Sequence, residues 1–88
     1  MSLPVLVLLR LPPDHPRTAQ ALRAAVGYLA AGLEVTVLLD GPAAALLERP
    51  APQSLRRHLE TLRALGQQVR ALSLTDLPRF ARCRVVPW

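Results

Sequence analysis

Two kinds of side chain in this sequence could act as a nucleophile or move a proton near neutral pH: one thiol, Cys83, and two imidazoles, His15 and His58. Cys83 lies between Arg82 and Arg84, cationic neighbours of the kind that favour a reactive thiolate. Its simpler reading is a small apolar residue at the start of a strand, since free cysteine is mostly buried and inert. His15 belongs to the stretch R-L-P-P-D-H-P, which also offers Arg10 to an anion and Asp14 as a carboxylate. Asp40 and Gly41 end a second apolar run, and the backbone N–H groups following Gly41 open a helical segment. Arg10, Asp14, His15, Asp40 and Gly41 are therefore the candidate ligand-binding residues, with Cys83 the only candidate thiol. Singly, each has a structural reading: Asp14 as a helix cap, Asp40 as a strand terminator, His15 as a loop residue. His58 flanks a helical apolar stripe and reads as structural.

Grouping those five residues requires a parallel sheet. The run L-E-V-T-V-L-L-D-G (33–41) is β-branched and apolar, and it is stopped by Asp40, Gly41 and Pro42. Val5 to Leu9 is equally apolar and ends at R-L-P-P. Neither run alternates polar with apolar residues, the pattern of strands buried on both faces. Between them Asp14 caps, and Pro16 opens, a helix reaching about Ala31, with Leu22, Val26, Leu29 and Ala30 as its stripe and Gly32 as its stop. A short helix over 43–47, a rigid connector from Glu48 to Gln53 with Pro50 and Pro52, and a helix capped by Ser54 follow. That helix has Leu55, Leu59, Leu62 and Leu65 inward and Arg56, Glu60 and Arg63 paired outside. Val69 to Leu74 is the third strand. Thr75-Asp76 caps a short helix that turns Leu77, Phe80 and Ala81 inward, and Arg84 to Pro87 is the fourth strand. The order β-α-β-α-α-β-α-β predicts one three-layer α/β/α domain over residues 1–88, with a mostly parallel sheet of four strands, flavodoxin-like winding and helices on both faces. With β1 central and the third strand on its other side, the crossovers part at the carboxyl rim and open a crevice there. Arg10, Asp14, His15, Asp40 and Gly41 would face it, and Cys83 would lie on the opposite rim.

Composition bounds the function. Eighty-eight residues make a single small core, and with only Tyr28, Phe80 and Trp88 aromatic, that core must be aliphatic. So small an aliphatic domain is expected to self-associate. A net charge of +5 permits an acidic or nucleic-acid partner. Every basic residue is arginine and no lysine, asparagine or isoleucine occurs, as expected of a GC-rich coding sequence. Arginine abundance alone therefore says little about a partner, and the arginines form no run. One cysteine excludes an intrachain disulfide, no Cys/His cluster has metal-ligand spacing, and four scattered glycines form neither a dinucleotide fingerprint nor a phosphate loop. No cofactor or metal is expected. The first ten residues lack a basic region and a small-residue cleavage site, and their apolar run is too short to span a bilayer. A soluble cytoplasmic protein without membrane contact is the expectation.

The segments V-L-V-L-L-R, T-A-Q-A-L-R-A-A-V-G-Y-L-A-A-G-L-E-V-T-V-L-L-D-G, L-E-T-L-R-A-L-G-Q-Q-V-R-A-L and V-V-P-W, taken in that order and spacing, resemble the DsrE/DsrF/DsrH-like family across nearly the whole chain. The family includes sulfur-relay subunits acting in tRNA modification and sulfur oxidation. The resemblance implies a DsrE-like α/β domain that associates with copies of itself and with sulfur-relay partner proteins. Catalytic members carry a persulfide-forming cysteine just beyond the third strand, a place corresponding here to Ser73 to Asp76, where no cysteine stands. The implied role is thus a non-catalytic or regulatory subunit. Two alternatives remain open: a thiol-dependent sulfur carrier or enzyme using Cys83, and a basic module binding nucleic acid such as tRNA.

Overall fold

The computed structural model describes residues 3–48 and 51–88. Four strands, β1 (Val5–Leu9), β2 (Val35–Leu39), β3 (Gln68–Ala71) and β4 (Arg84–Pro87), form one sheet in the order β3-β2-β1-β4. All three pairings are parallel, with Val5 opposite both Val35 and Arg84. Every residue of β1 and β2 is buried, Thr36 included, as runs without polar alternation require of interior strands. β3 and β4 are edges and only half-buried; Pro87 is tolerated at the end of β4 for that reason. One expectation is corrected by the order: β4, not β3, lies on the far side of β1. The chain steps from β1 through β2 to β3 in one direction and reverses only on the way to β4.

Helices α1 (Pro16–Ala30) and α2 (Gln53–Ala64) pack side by side on one face. Right-handed crossovers stepping the same way across the sheet place both there. The principal core lies beneath them, where Val5, Val7, Leu9, Val35, Val37 and Leu39 meet Leu22, Leu55, Leu59 and Leu62. α1 presents Thr18, Ala21, Leu22 and Ala25 to the sheet, while Val26 and Leu29 are half-buried and Ala30 is exposed. The buried stripe is therefore shifted from the one expected, because small residues bring the helix axis close to the strands. Thr18 tolerates burial by donating its hydroxyl to the Pro12 carbonyl at 2.7 Å. On the other face, Leu6, Leu8 and Leu38 are covered by Leu72, Phe80, Cys83 and Val85. Among the described residues, the only helical cover there is a 3-10 turn, Leu74–Asp76, running into a single-turn helix α3 (Leu77–Phe80).

Several ends differ from the sequence reading. α1 is capped by His15, whose Nδ1 accepts from the Arg17 N–H at 3.1 Å, and not by Asp14. α2 begins after Pro52, whose ring fixes φ for the entry, so Ser54 is inside the helix and no side chain caps it. Leu65 follows the last turn and is exposed, and no ion pair joins Glu60 to Arg56 or Arg63 among the described residues. β3 stops at Ala71 because Ser73 caps the next turn, a role assigned from sequence to Thr75-Asp76. Of Leu77, Phe80 and Ala81 only Phe80 packs inward. The segment Gly41–Leu47 is a 3-10 helix, and Arg49 and Pro50 of the expected rigid connector lie outside the described residues.

Candidate functional site

At the carboxyl rim, the loop leaving β1 and the segment leaving β2 come together. Arg10 Nε stands 3.4 Å from Asp40 Oδ2. The Asp40 N–H donates to the Leu9 carbonyl at 2.9 Å, which extends the ladder one residue beyond β2 and fixes that carboxylate beside β1. Gly41 then takes φ +56°, a left-handed turn that folds the chain into the 3-10 helix. Between the two loops lies a cavity of about 480 Å³ lined by Pro12, Pro13, Asp14, Pro42, Ala45, Leu46 and Ala51. Its walls are apolar, with the Asp14 carboxylate as the one ionisable group among the described residues lining it.

Of the five residues expected here, Asp14 lines the cavity, Arg10 and Asp40 pair with each other beside it, Gly41 makes the turn next to Pro42, and His15 is occupied in capping α1. The cavity opens between the β1 and β2 loops and not at the reversal point between β1 and β4. That place is closed by Trp88: its N–H donates to the Leu8 carbonyl at 2.8 Å, and its carbonyl accepts from the Arg10 N–H at 3.0 Å. The indole packs on the principal core, under the Arg17 guanidinium 5.3 Å from the ring centroid. Cys83 is half-buried at the opposite rim, bordering a separate depression of about 250 Å³ with Pro4, Glu34, Arg79 and Arg82.

The most strongly perturbed group is one that the sequence marks only as part of a helix cap. Asp76 is buried, with 1% of its surface exposed. It receives a two-pronged contact from the Arg70 guanidinium, one prong being Nη1 to Oδ2 at 2.8 Å. The Ser73 N–H donates to Oδ2 at 2.9 Å, and Arg79 Nη1 stands 3.7 Å away. Hydrogen bonds from Arg70, working against burial and helped by the Ser73 N–H, hold the Asp76 carboxyl down at about 2. The same contact raises the Arg70 guanidinium. Arg79 in turn donates to the Thr36 hydroxyl at 3.2 Å, tying the turn to β2. The cluster thus ties the turn just past β3 back to β3 and β2. Its sequence signal was faint: Arg70 made β3 look polar, and a six-residue separation across a turn has no helical or strand period.

The fold and rim together define a parallel, doubly wound α/β domain with one apolar cavity between its first two crossover loops. No protein-family model, curated protein or solved structure matches the chain. No group of three or more His, Cys, Asp or Glu side chains among the described residues could hold a metal ion. No helix there is long and apolar enough to cross a membrane.

Proposed function

We propose that this chain is a non-catalytic, DsrE-like subunit of a cytoplasmic sulfur-relay type assembly. The observation that carries the reading is the segment after β3. The resemblance puts the relay thiol of catalytic members there, and in this chain Ser73 and Asp76 form a capping box locked by Arg70. With no thiol in the segment and its one carboxylate held by a guanidinium and a backbone N–H, nothing there can form a persulfide. In this reading the chain works through its surface, associating with further copies and with relay partners. Leu74 and Leu77, 83% and 54% exposed on the thinly covered face, are suited to such contacts.

The test is incubation of the purified protein with a cysteine desulfurase and cysteine, followed by intact-mass analysis. No 32-Da adduct is expected. A near-stoichiometric persulfide on Cys83 would instead support a second reading, thiol-based sulfur carriage at the amino rim. The depression that Cys83 shares with Arg79 and Arg82 is the observation favouring that alternative.

A further inference from the structure

The net charge of the protein is distributed unevenly. Helices α1 and α2 carry five arginines (17, 23, 56, 57 and 63) against a single carboxylate, Glu60, and all six are exposed. Six arginines and five carboxylates remain for the rest of the sequence, so nearly all of the net +5 resides on the two-helix layer. Elsewhere Arg10 pairs with Asp40, and Arg70 and Arg79 with Asp76, while Arg82 and Arg84 have no ion pair among the described residues. Within the layer, Arg23, Arg57 and Arg63 make no ion pair and no side-chain hydrogen bond among the described residues. Positive charge without an internal partner awaits an external one.

What accompanies the charge narrows the partner. Among the described residues the large apolar side chains that are exposed are Leu3, Leu47, Leu65, Leu74 and Leu77, and none lies within α1 or α2. A protein interface needs a buried apolar or aromatic anchor at its centre, which this layer lacks. Reading of single-stranded bases needs exposed aromatic platforms, and Tyr28, the one aromatic on these helices, packs against the core. The solvent side of α1 is low, with Gly27 open to space. Guanidinium groups on a surface without an apolar anchor suit the oxygen fork of a phosphodiester. Helices of 15 and 12 residues are about 18–22 Å long, and that length of duplex presents about twelve phosphate charges.

We propose that the exposed face of α1 and α2 docks the backbone of a double-stranded nucleic acid, without sequence preference, through Arg23, Arg57 and Arg63. This goes beyond the subunit role above and does not depend on it. The experiment is fluorescence anisotropy with 20-base-pair DNA and RNA duplexes between 50 and 200 mM salt. Three to five phosphate contacts predict a DNA affinity loss of about 40- to 500-fold over that range. The R23Q/R57Q/R63Q variant should lower the slope of log K against log salt by about 3, while R82Q/R84Q, at the opposite rim, should leave it unchanged. DNA and RNA should bind within about threefold of each other, because phosphates alone are read. Absence of duplex binding at 50 mM salt, an equal loss in R82Q/R84Q, or a tenfold preference for either duplex would overturn the proposal. So would poly-glutamate competing as well as duplex at equal charge, which would assign the face to an acidic protein.

Discussion

Replacing Asp76 with asparagine keeps the shape of the side chain and removes the charge that Arg70 and Arg79 surround. The carboxyl, ordinarily near 3.8, is held at about 2 in the folded chain, which corresponds to about 2 kcal/mol of stability at neutral pH. Because the folded value lies below the unfolded one, that stability is full above about pH 5 and fades as pH falls through 4 toward 2. At pH 3 about 1 kcal/mol of it should remain. Urea unfolding followed by circular dichroism should place D76N about 2 kcal/mol below the wild type at pH 7, and the gap should halve at pH 3. Thermal unfolding at pH 7 should show the same loss as a melting point lower by roughly 8–16 °C for a domain this small. Taking the difference between two proteins at each pH cancels the titration of the other carboxylates. Equal stability at pH 7, or a gap that stays constant down to pH 3, would refute the assignment of Asp76 as the charged centre of the turn.

Leu22 is fully buried at the centre of the α1 contact with the sheet, so Leu22→Ala should cost about 2–5 kcal/mol; a loss under 1 kcal/mol by urea unfolding would mean that α1 packs elsewhere. Leu74 and Leu77 are exposed and should matter only between molecules. L74E/L77E is expected to turn an oligomer into a monomer in light scattering while shifting stability by less than about 0.5 kcal/mol, and a wild type that is already monomeric at tens of micromolar would remove the proposed self-association.

The buried strands were legible because five residues without polar alternation, all apolar but Thr36, leave no solvent-facing side, and β1 and β2 stand where those runs stand. The two long helices were equally readable, and Pro16 opens α1 as expected, but the caps were not legible. Asp14 and His15 are neighbours that can both accept a backbone N–H, and only the path of the Pro12-Pro13 loop decides which faces Arg17. The placement of β4 beside β1 was beyond the sequence as well, since edge strands differ little in pattern and the choice of edge depends on how the long return packs across the sheet. At the rim, Arg10 and Asp40 were brought together as strand ends in a parallel sheet must be. The cavity beside them depends on how Pro42 and Ala45 turn after Gly41, a detail set by one left-handed residue. Asp76 was legible as a cap residue, but its pairing with Arg70 and Arg79 was not, because a turn and not a repeat makes it.

The pairing of β1 with β4 has a consequence for synthesis. Val5 finds its partner Arg84 only when synthesis has reached that residue, and at roughly 5–20 residues per second that is a wait on the order of ten seconds. Throughout it, one edge of a five-residue apolar strand lacks a hydrogen-bonding neighbour, and such an edge invites pairing with another nascent chain. The protection built into the sequence is at the flanks, where Pro4 stands before the strand and Arg10, Pro12 and Pro13 follow it. Prolines cannot donate to an invading ladder and a charge resists burial in one, so the residues bordering β1 act as gatekeepers during translation. The rim that shapes the cavity of the folded protein thus also shields its most aggregation-prone strand before folding is complete.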